Sequence, residues 1–373
     1  MIMRILFITA TYLPTVNGVS YHIKLLKKQL EKLGHRVYVL APNFPGYTDS
    51  DKNIMRYFSM PNPFIKTYPL GLPLVPVDKI KKIRPDIIHT HHPLIIGKFA
   101  AHVAEKMKVP LIFTAHTQYE QYLNYYFPHG YQLTSKLLIN DLQSLSRKCS
   151  KIICPSPETK IRLKKQGITN TDVVFNGIDT EVFSSSKKIF SEHPYIVYTG
   201  RLEKEKNPLF LLKIAVELKN ICPEFKMVII GDGRLLPKLS EYTIKHDLEN
   251  NVCVVGKVDQ NLLPSIYKGA NIFLTPSTSE VMPLSVLEAE SSGLPIIALE
   301  NAGLESVVKN GESGFLLKPD PKVIAQHIFD LVKNLKRLKR FSKMSRRISE
   351  KYSIEYCALS VENIYKEVLS CRE

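Results

Sequence analysis

Short apolar runs alternate with amphipathic stretches along the first half of the chain. Runs at Arg4–Thr9, Arg36–Ala41, Ile87–Thr90, Leu111–Ala115, Lys151–Pro155 and Val173–Phe175 read as buried strands. Between them, Ser20–Leu33, Leu94–Met107, Gln132–Lys148 and Pro157–Gln166 carry the apolar spacing of helices packed on one face. Residues 43–84 break the rhythm with repeated prolines among aromatics and lysines, and read as a long irregular segment. Near Thr180–His193 the pattern lapses into a polar stretch, then restarts. Strands are predicted at Tyr195–Thr199, Lys226–Ile230, Val252–Val255, Ile272–Pro276, Pro295–Leu299 and Gly314–Leu317, each followed by a helix-compatible run.

Strand–helix alternation in both halves predicts an α/β protein of two doubly wound parallel sheets. The expected layout is a domain over residues 1–183, a linker over 184–193 and a second domain over 194–352. A final helix over 353–373 is expected to pack back on the first domain. Ligands of such sheets bind beyond the carboxyl ends of the strands, so two lobes facing each other would enclose a cleft.

Two motifs fall at such strand ends. Glu280-Val281-Met282-Pro283-Leu284-Ser285-Val286-Leu287-Glu288 follows the strand Ile272–Pro276. Glu280 would sit in the turn and Pro283 at or near the first helical position. Glu288 would then lie one to two turns into the helix. The free amides around Leu284 and Ser285 would favour a phosphate. Gly200-Arg201-Leu202-Glu203-Lys204-Glu205-Lys206 follows the strand Tyr195–Thr199, which places Arg201 and Lys206 to neutralise a diphosphate.

Together these residues resemble the family 4 retaining glycosyltransferases of the GT-B fold. The family's Glu-x7-Glu is matched by Glu280 and Glu288, and its basic pair by Arg201 and Lys206. Gly231-Asp232-Gly233, Asn176-Gly177-Ile178-Asp179 with Phe183, Asn17-Gly18-Val19 and His116 match as well, in the family's order. The resemblance implies that Arg201 and Lys206 hold the donor diphosphate while Gly18 allows a close loop approach. It also implies that Glu280 binds sugar hydroxyls, Glu288 the ribose, and Lys257-Val258 the base. His116 would reach the sugar at the reaction centre. Where the family commonly has an aromatic–glycine pair, this chain has Met282-Pro283, and proline removes one amide donor. No metal is expected, and no cofactor beyond the nucleotide-sugar donor. Asp49-Ser50-Asp51 is a formal DxD in a polar loop. His89, His91 and His92 lack carboxylate or cysteine partners and read as a loop at the cleft edge.

Charge bears on the acceptor. Of the net +16, the first 186 residues account for +12, with 24 Lys+Arg against 12 Asp+Glu. Such a lobe attracts polyanions. No apolar run reaches the ~18 residues of a membrane span, and Met1-Ile2-Met3-Arg4 has no signal-peptide layout, so a cytoplasmic protein is expected. The six cysteines show no paired spacing and read as buried free thiols. Aromatics crowd after His116, with Tyr119, Tyr122 and Tyr126 on one helical face. The run resembles that of mono- and diglucosyl-diacylglycerol synthases within the family. Lys24, Lys27, Lys28 and Lys32 lie on one helix, and Lys79, Lys81, Lys82 and Arg84 follow an apolar-aromatic segment. Phe329–Ile348 reads as a further basic helix. The expectation is a peripheral enzyme on the inner face of an anionic membrane, moving glucose from UDP-glucose onto a lipid such as diacylglycerol. Alternatives are a mannosyl- or other hexosyltransferase acting on a phosphatidylinositol-type or soluble acceptor, or a non-catalytic binding protein. No nucleic-acid-binding signature is present, and nucleic acid is not an expected partner.

Overall fold

A computed structural model describes residues 1–15, 17–62, 69–116, 131–184, 188–278 and 280–371. Tyr119, Tyr122 and Tyr126 lie outside them. The chain divides into two units, Met1–Gly177 with Ile354–Glu373, and Ile178–Ser353.

The first unit is built on β1 (Arg4–Ile8), β2 (Arg36–Pro42), β3 (Ile54–Tyr57), a small antiparallel ribbon of β4 (Ser59–Met60) and β5 (Leu70–Gly71), β6 (Ile87–Thr90), β7 (Leu111–Thr114), β8 (Lys151–Cys154) and β9 (Thr171–Val173). Seven strands form one parallel sheet in the order β3-β2-β1-β6-β7-β8-β9. β1, β6 and β7 are almost wholly buried, and apolar but for Arg4, His89 and the threonines that end β6 and β7. The expected irregular segment is partly ordered: β3 pairs in parallel with β2, through residues whose half-buried pattern at a sheet edge leaves little apolar signal. The helix Gly18–Lys32 packs on the C-terminal helix Ile354–Ser370. That helix contributes Ile354, Cys357, Val361 and Tyr365 to the core of this unit. Gly177 lies so close to it that a Cβ would stand 2.6 Å from the Ile354 Cα.

The second unit has β10 (Tyr195–Thr199), β11 (Lys226–Ile230), β12 (Val252–Gly256), β13 (Ile272–Thr275), β14 (Ile296–Leu299) and β15 (Gly314–Leu317). Its parallel sheet runs β12-β11-β10-β13-β14-β15. The short helix Thr180–Ser184 belongs to this unit, where Phe183 packs against Tyr267. The basic helix read over Phe329–Ile348 is two helices, Pro321–Lys333 and Leu335–Ser349. Asn334 divides them and caps the second, its side chain accepting from the Arg337 amide. Cys253 and Cys371 are exposed, which corrects the reading of uniformly buried thiols; Cys253 lies near the sheet edge, on β12.

Strand order reverses beside the first strand of each sheet, between β1 and β6 and between β10 and β13. In open α/β sheets, the ligand crevice lies at the carboxyl ends of such a switch point.

Candidate active site

In the second unit, the two strands flanking the switch point deliver the charged residues. β10 ends at Thr199 and leads through Gly200-Arg201 to a 3-10 turn over Lys204–Lys206. β13 ends at Thr275 and leads to Glu280 and the helix Leu284–Ser291. The two connections meet, with Lys206 Nζ 2.6 Å from Glu280 Oε1, both side chains largely buried. Arg201 Nη2 lies 2.8 Å from Glu205 Oε1, whose side chain is 1% exposed while the arginine is 43% exposed. Each cation thus has a buried carboxylate beneath it, and losing either cation would leave a buried charge uncompensated. Spacing alone had not singled out Glu205.

Glycines make these turns possible. A Cβ on Gly231, where φ is +149°, would stand 1.8 Å from the Gly200 carbonyl oxygen. One on Gly303 would stand 2.0 Å from the Glu280 carbonyl oxygen. Backbone bonds then tie the loops together: Leu202 N–H donates to Asp232 C=O at 2.9 Å, and Gly231 N–H to Gly256 C=O at 2.8 Å.

Pro283 is the N-cap of the helix rather than its first residue, and provides no side-chain bond. The amides of Leu284 and Ser285 therefore have no acceptor inside the helix, and its N-terminus carries about half a positive charge. Met282 and Pro283 are buried beside it. Glu288, one turn further on, is buried, and that burial pushes its carboxyl up to about 8. Gln260 donates to its Oε1 at 3.4 Å, which opposes the shift. Gln260 went unnoticed in the sequence because it lies in a short turn after β12. Lys257, exposed, and Val258, half-buried, precede it.

In the first unit, Asn17 caps the helix Gly18–Lys32 through a reciprocal box with Ser20, each bond 2.9 Å. Gly18 is the exposed first residue of that helix. His116 follows β7 and is half-buried. His89 and His91 do not form a loop at an edge: both are fully buried. Burial lowers the pKa values of His22 and His92 to about 4, His89 to about 3, and His91 and His116 well below the ordinary value. His22, His91 and His116 come close enough together for a divalent ion to bridge them. Asp49 and Asp51 are used internally, Asp49 gripping Arg56 with both oxygens at 2.7 Å and Asp51 pairing with Lys27 at 2.7 Å. Lys27 is therefore buried, unlike its exposed neighbours Lys24 and Lys28. Lys81 and Lys82 are exposed, and they follow in sequence a stretch that exposes Phe58, Met60, Leu70, Leu72 and Leu74 in and around the ribbon.

Residues 16–182 match Glycosyltransferase Family 4, and residues 179–348 match Glycosyl transferases group 1. The chain carries a Glycosyltransferase Family 4 domain followed by a Glycosyl transferases group 1 domain. It is 27% identical to the alpha-monoglucosyldiacylglycerol synthase of Acholeplasma laidlawii over 396 aligned positions, covering 98% of each chain. It is 28% identical to the synthase of the same name from Streptococcus pneumoniae, over 84% of this chain and 75% of that one. Among solved structures, Anabaena Alr3699/HepE in complex with UDP superposes with a TM-score of 0.76 at 17% identity, over 98% of this chain and 100% of that one. The fold of this glycosyltransferase is therefore GT-B, and it is a hexosyltransferase that draws on a nucleotide sugar. Among the described residues, no helix is long and apolar enough to cross a membrane.

Proposed function

We propose that this glycosyltransferase moves glucose from UDP-glucose to diacylglycerol at an anionic membrane surface, with retention of configuration. The observation that carries the donor half is the convergence of Arg201, Lys206, Glu280 and an uncapped helix N-terminus at the β10/β13 switch point. The incoming diphosphate takes Arg201 and Lys206 as partners. Glu280, relieved of Lys206, then accepts hydrogen bonds from the sugar hydroxyls. Glu288 accepts from the ribose, and the base lies toward Lys257 and Val258. The amides at Leu284 and beyond serve the phosphate or sugar, with Pro283 contributing none.

The bond from sugar C1 to the diphosphate oxygen breaks as the acceptor hydroxyl bonds C1 on the same face, and the departing phosphate oxygen takes the acceptor proton. Negative charge grows on the leaving group, so fixed cations stabilise the transition state more than the ground state. His116 acts on the sugar as a neutral imidazole. Because Arg201, Lys206 and the helix end supply the positive charge, turnover is expected to survive EDTA. A fall to background in EDTA, restored by a divalent ion, would contradict metal independence.

The acceptor half is supported by the names of the two synthases, by the exposed apolar side chains in and around the ribbon and by the exposed Lys81 and Lys82 that follow in sequence. Exposed apolar side chains enter the headgroup boundary while lysines meet anionic lipid, each worth about 1 kcal/mol. Calorimetric titration tests the donor site. UDP should bind, and Arg201→Ala should weaken binding at least tenfold with an unchanged circular dichroism spectrum. Equal affinity in both proteins would refute the assignment.

A further inference from the structure

The first unit contains a row of imidazoles that the donor chemistry does not account for. His89 and His91, two residues apart at the end of β6, are both fully buried. Phe7 of the neighbouring β1 meets both rings edge-on, at 5.5 and 5.0 Å. His89 has partners on both nitrogens: Tyr365 Oη of the C-terminal helix lies 2.7 Å from Nδ1, and Thr114 Oγ1 lies 2.7 Å from Nε2. The His91 ring stacks on His89 at 4.3 Å and meets His116 edge to edge, the ring centroids 5.3 Å apart and the planes 21° from parallel. Its Nδ1 lies 3.0 Å from His116 Nε2. Its Nε2 is buried and meets no partner among the described residues.

The polarity of the His91–His116 bond follows from this geometry. A neutral imidazole has one N–H, so one of the two facing nitrogens donates and the other accepts. If His116 donated, His91 would carry its proton on Nε2, leaving a buried N–H without an acceptor. Orphaned buried donors are rarer than bare acceptors. The opposite arrangement leaves only a lone pair unmet. His91 Nδ1–H then donates to His116 Nε2, and His116 carries its own proton on Nδ1. We infer that His91 is a positioning residue that fixes the tautomer and ring plane of His116, making Nδ1–H the hydrogen-bond donor that His116 offers to a hydroxyl of the transferring sugar. The sugar contact rests on the proposed function, whereas the tautomer rests on the first unit alone. His89 backs the row, held between Tyr365 and Thr114 so that the ring beneath His91 cannot turn.

Nitrogen NMR of protein labelled at histidine tests this directly, with resonances assigned by single substitutions. At neutral pH, the long-range proton–nitrogen pattern of His116 should be that of a single Nδ1–H tautomer. His91→Phe keeps a ring in the stack but deletes the donor, so the His116 pattern should become mixed. Its kcat should fall about 10- to 100-fold with the KM for the nucleotide sugar unchanged, the scale seen when a residue that orients a site ligand is lost. His91→Asn puts an amide donor near the position of Nδ1 and should recover most of both effects. Wild-type His116 protonated on Nε2, or an unchanged His116 pattern in His91→Phe, would overturn the inference. So would a stoichiometric metal ion held by His22, His91 and His116. Turnover of His116→Ala separates the two readings: full activity there removes His116 from the proposed reaction, while the nitrogen spectra decide the role of His91 without any turnover.

Discussion

Lys206 and Glu280 stabilise each other in a nearly buried pair, so the proposed donor contacts would put stability and chemistry on the same residues. Lys206→Ala leaves a carboxylate stranded and should cost about 3 kcal/mol in denaturant unfolding. Pairing Lys206→Met with Glu280→Gln should restore most of that stability while turnover stays about 100-fold down. A stable, inactive Lys206→Ala would contradict the first expectation, and an active double variant the second. Glu288 has its own signature. With its carboxyl pushed up to about 8, it is largely protonated at neutral pH, whereas the proposed ribose contact needs it as an acceptor. UDP affinity should therefore rise with pH until about 8, with proton release on binding, and Glu288→Gln should abolish both. Calorimetry in buffers of different ionisation heat reads the release, and a flat profile in the wild type would refute it. The placement of Arg201, Lys206 and Glu280 in the connections after β10 and β13, and of Glu288 in the helix that follows, was legible in the sequence from the strand runs and the spacing of the motifs. Glu205, Gln260 and the buried setting of His89 and His91 were not. Glu205 reads locally as one more charge in a polar turn, the partners of Gln260, His89 and His91 are distant in sequence, and a histidine in an apolar strand gives the same local signal whether it faces a core or a ligand.

At the level of elements, the site depends on close backbone crossings and on caps. Gly303→Ala pushes a Cβ against the Glu280 carbonyl, and overpacking of this kind costs about 1–3 kcal/mol. Because the displaced turn carries Glu280, turnover should fall further than stability does. Urea unfolding and steady-state rates on one preparation check this, and unchanged rates would show that the turn tolerates displacement. Most strands of both sheets could be read from apolar runs, including β6, β10, β11 and β15 at their observed limits. β3 could not, since an edge strand with half-buried residues has no strong period. The division of the basic helix at Asn334 was also missed, because apolar spacing continues across a cap that only the Arg337 amide reveals.

For the molecule as a whole, the two units respond to pH in opposite directions. In the first unit, buried histidines have lowered pKa values, so the unfolded chain binds more protons below its ordinary value of about 6.5. Stability there is full above that pH and is lost as the pH falls toward 4. In the second unit, Glu288 and Glu290 are raised by burial, so the folded state holds more protons between the ordinary carboxylate range and about 8. Stability there falls as pH rises through that window. Hydrogen exchange resolved by peptide should show protection in the first unit dropping at pH 5 and in the second dropping at pH 8; parallel profiles would contradict this. Of the net +16, +12 lies in the first 186 residues, so the proposed membrane attraction is assigned to the first unit. Sedimentation with anionic vesicles should weaken with salt and with Leu74→Asp. The central claim is glucosyl transfer to lipid, and it is tested most directly by presenting UDP-glucose, UDP-galactose and GDP-mannose to the protein with anionic vesicles containing diacylglycerol or with soluble sugars. The expected product is α-linked glucose on diacylglycerol, formed from UDP-glucose and dependent on the vesicles. Transfer to soluble sugars at a rate indifferent to vesicles would contradict it.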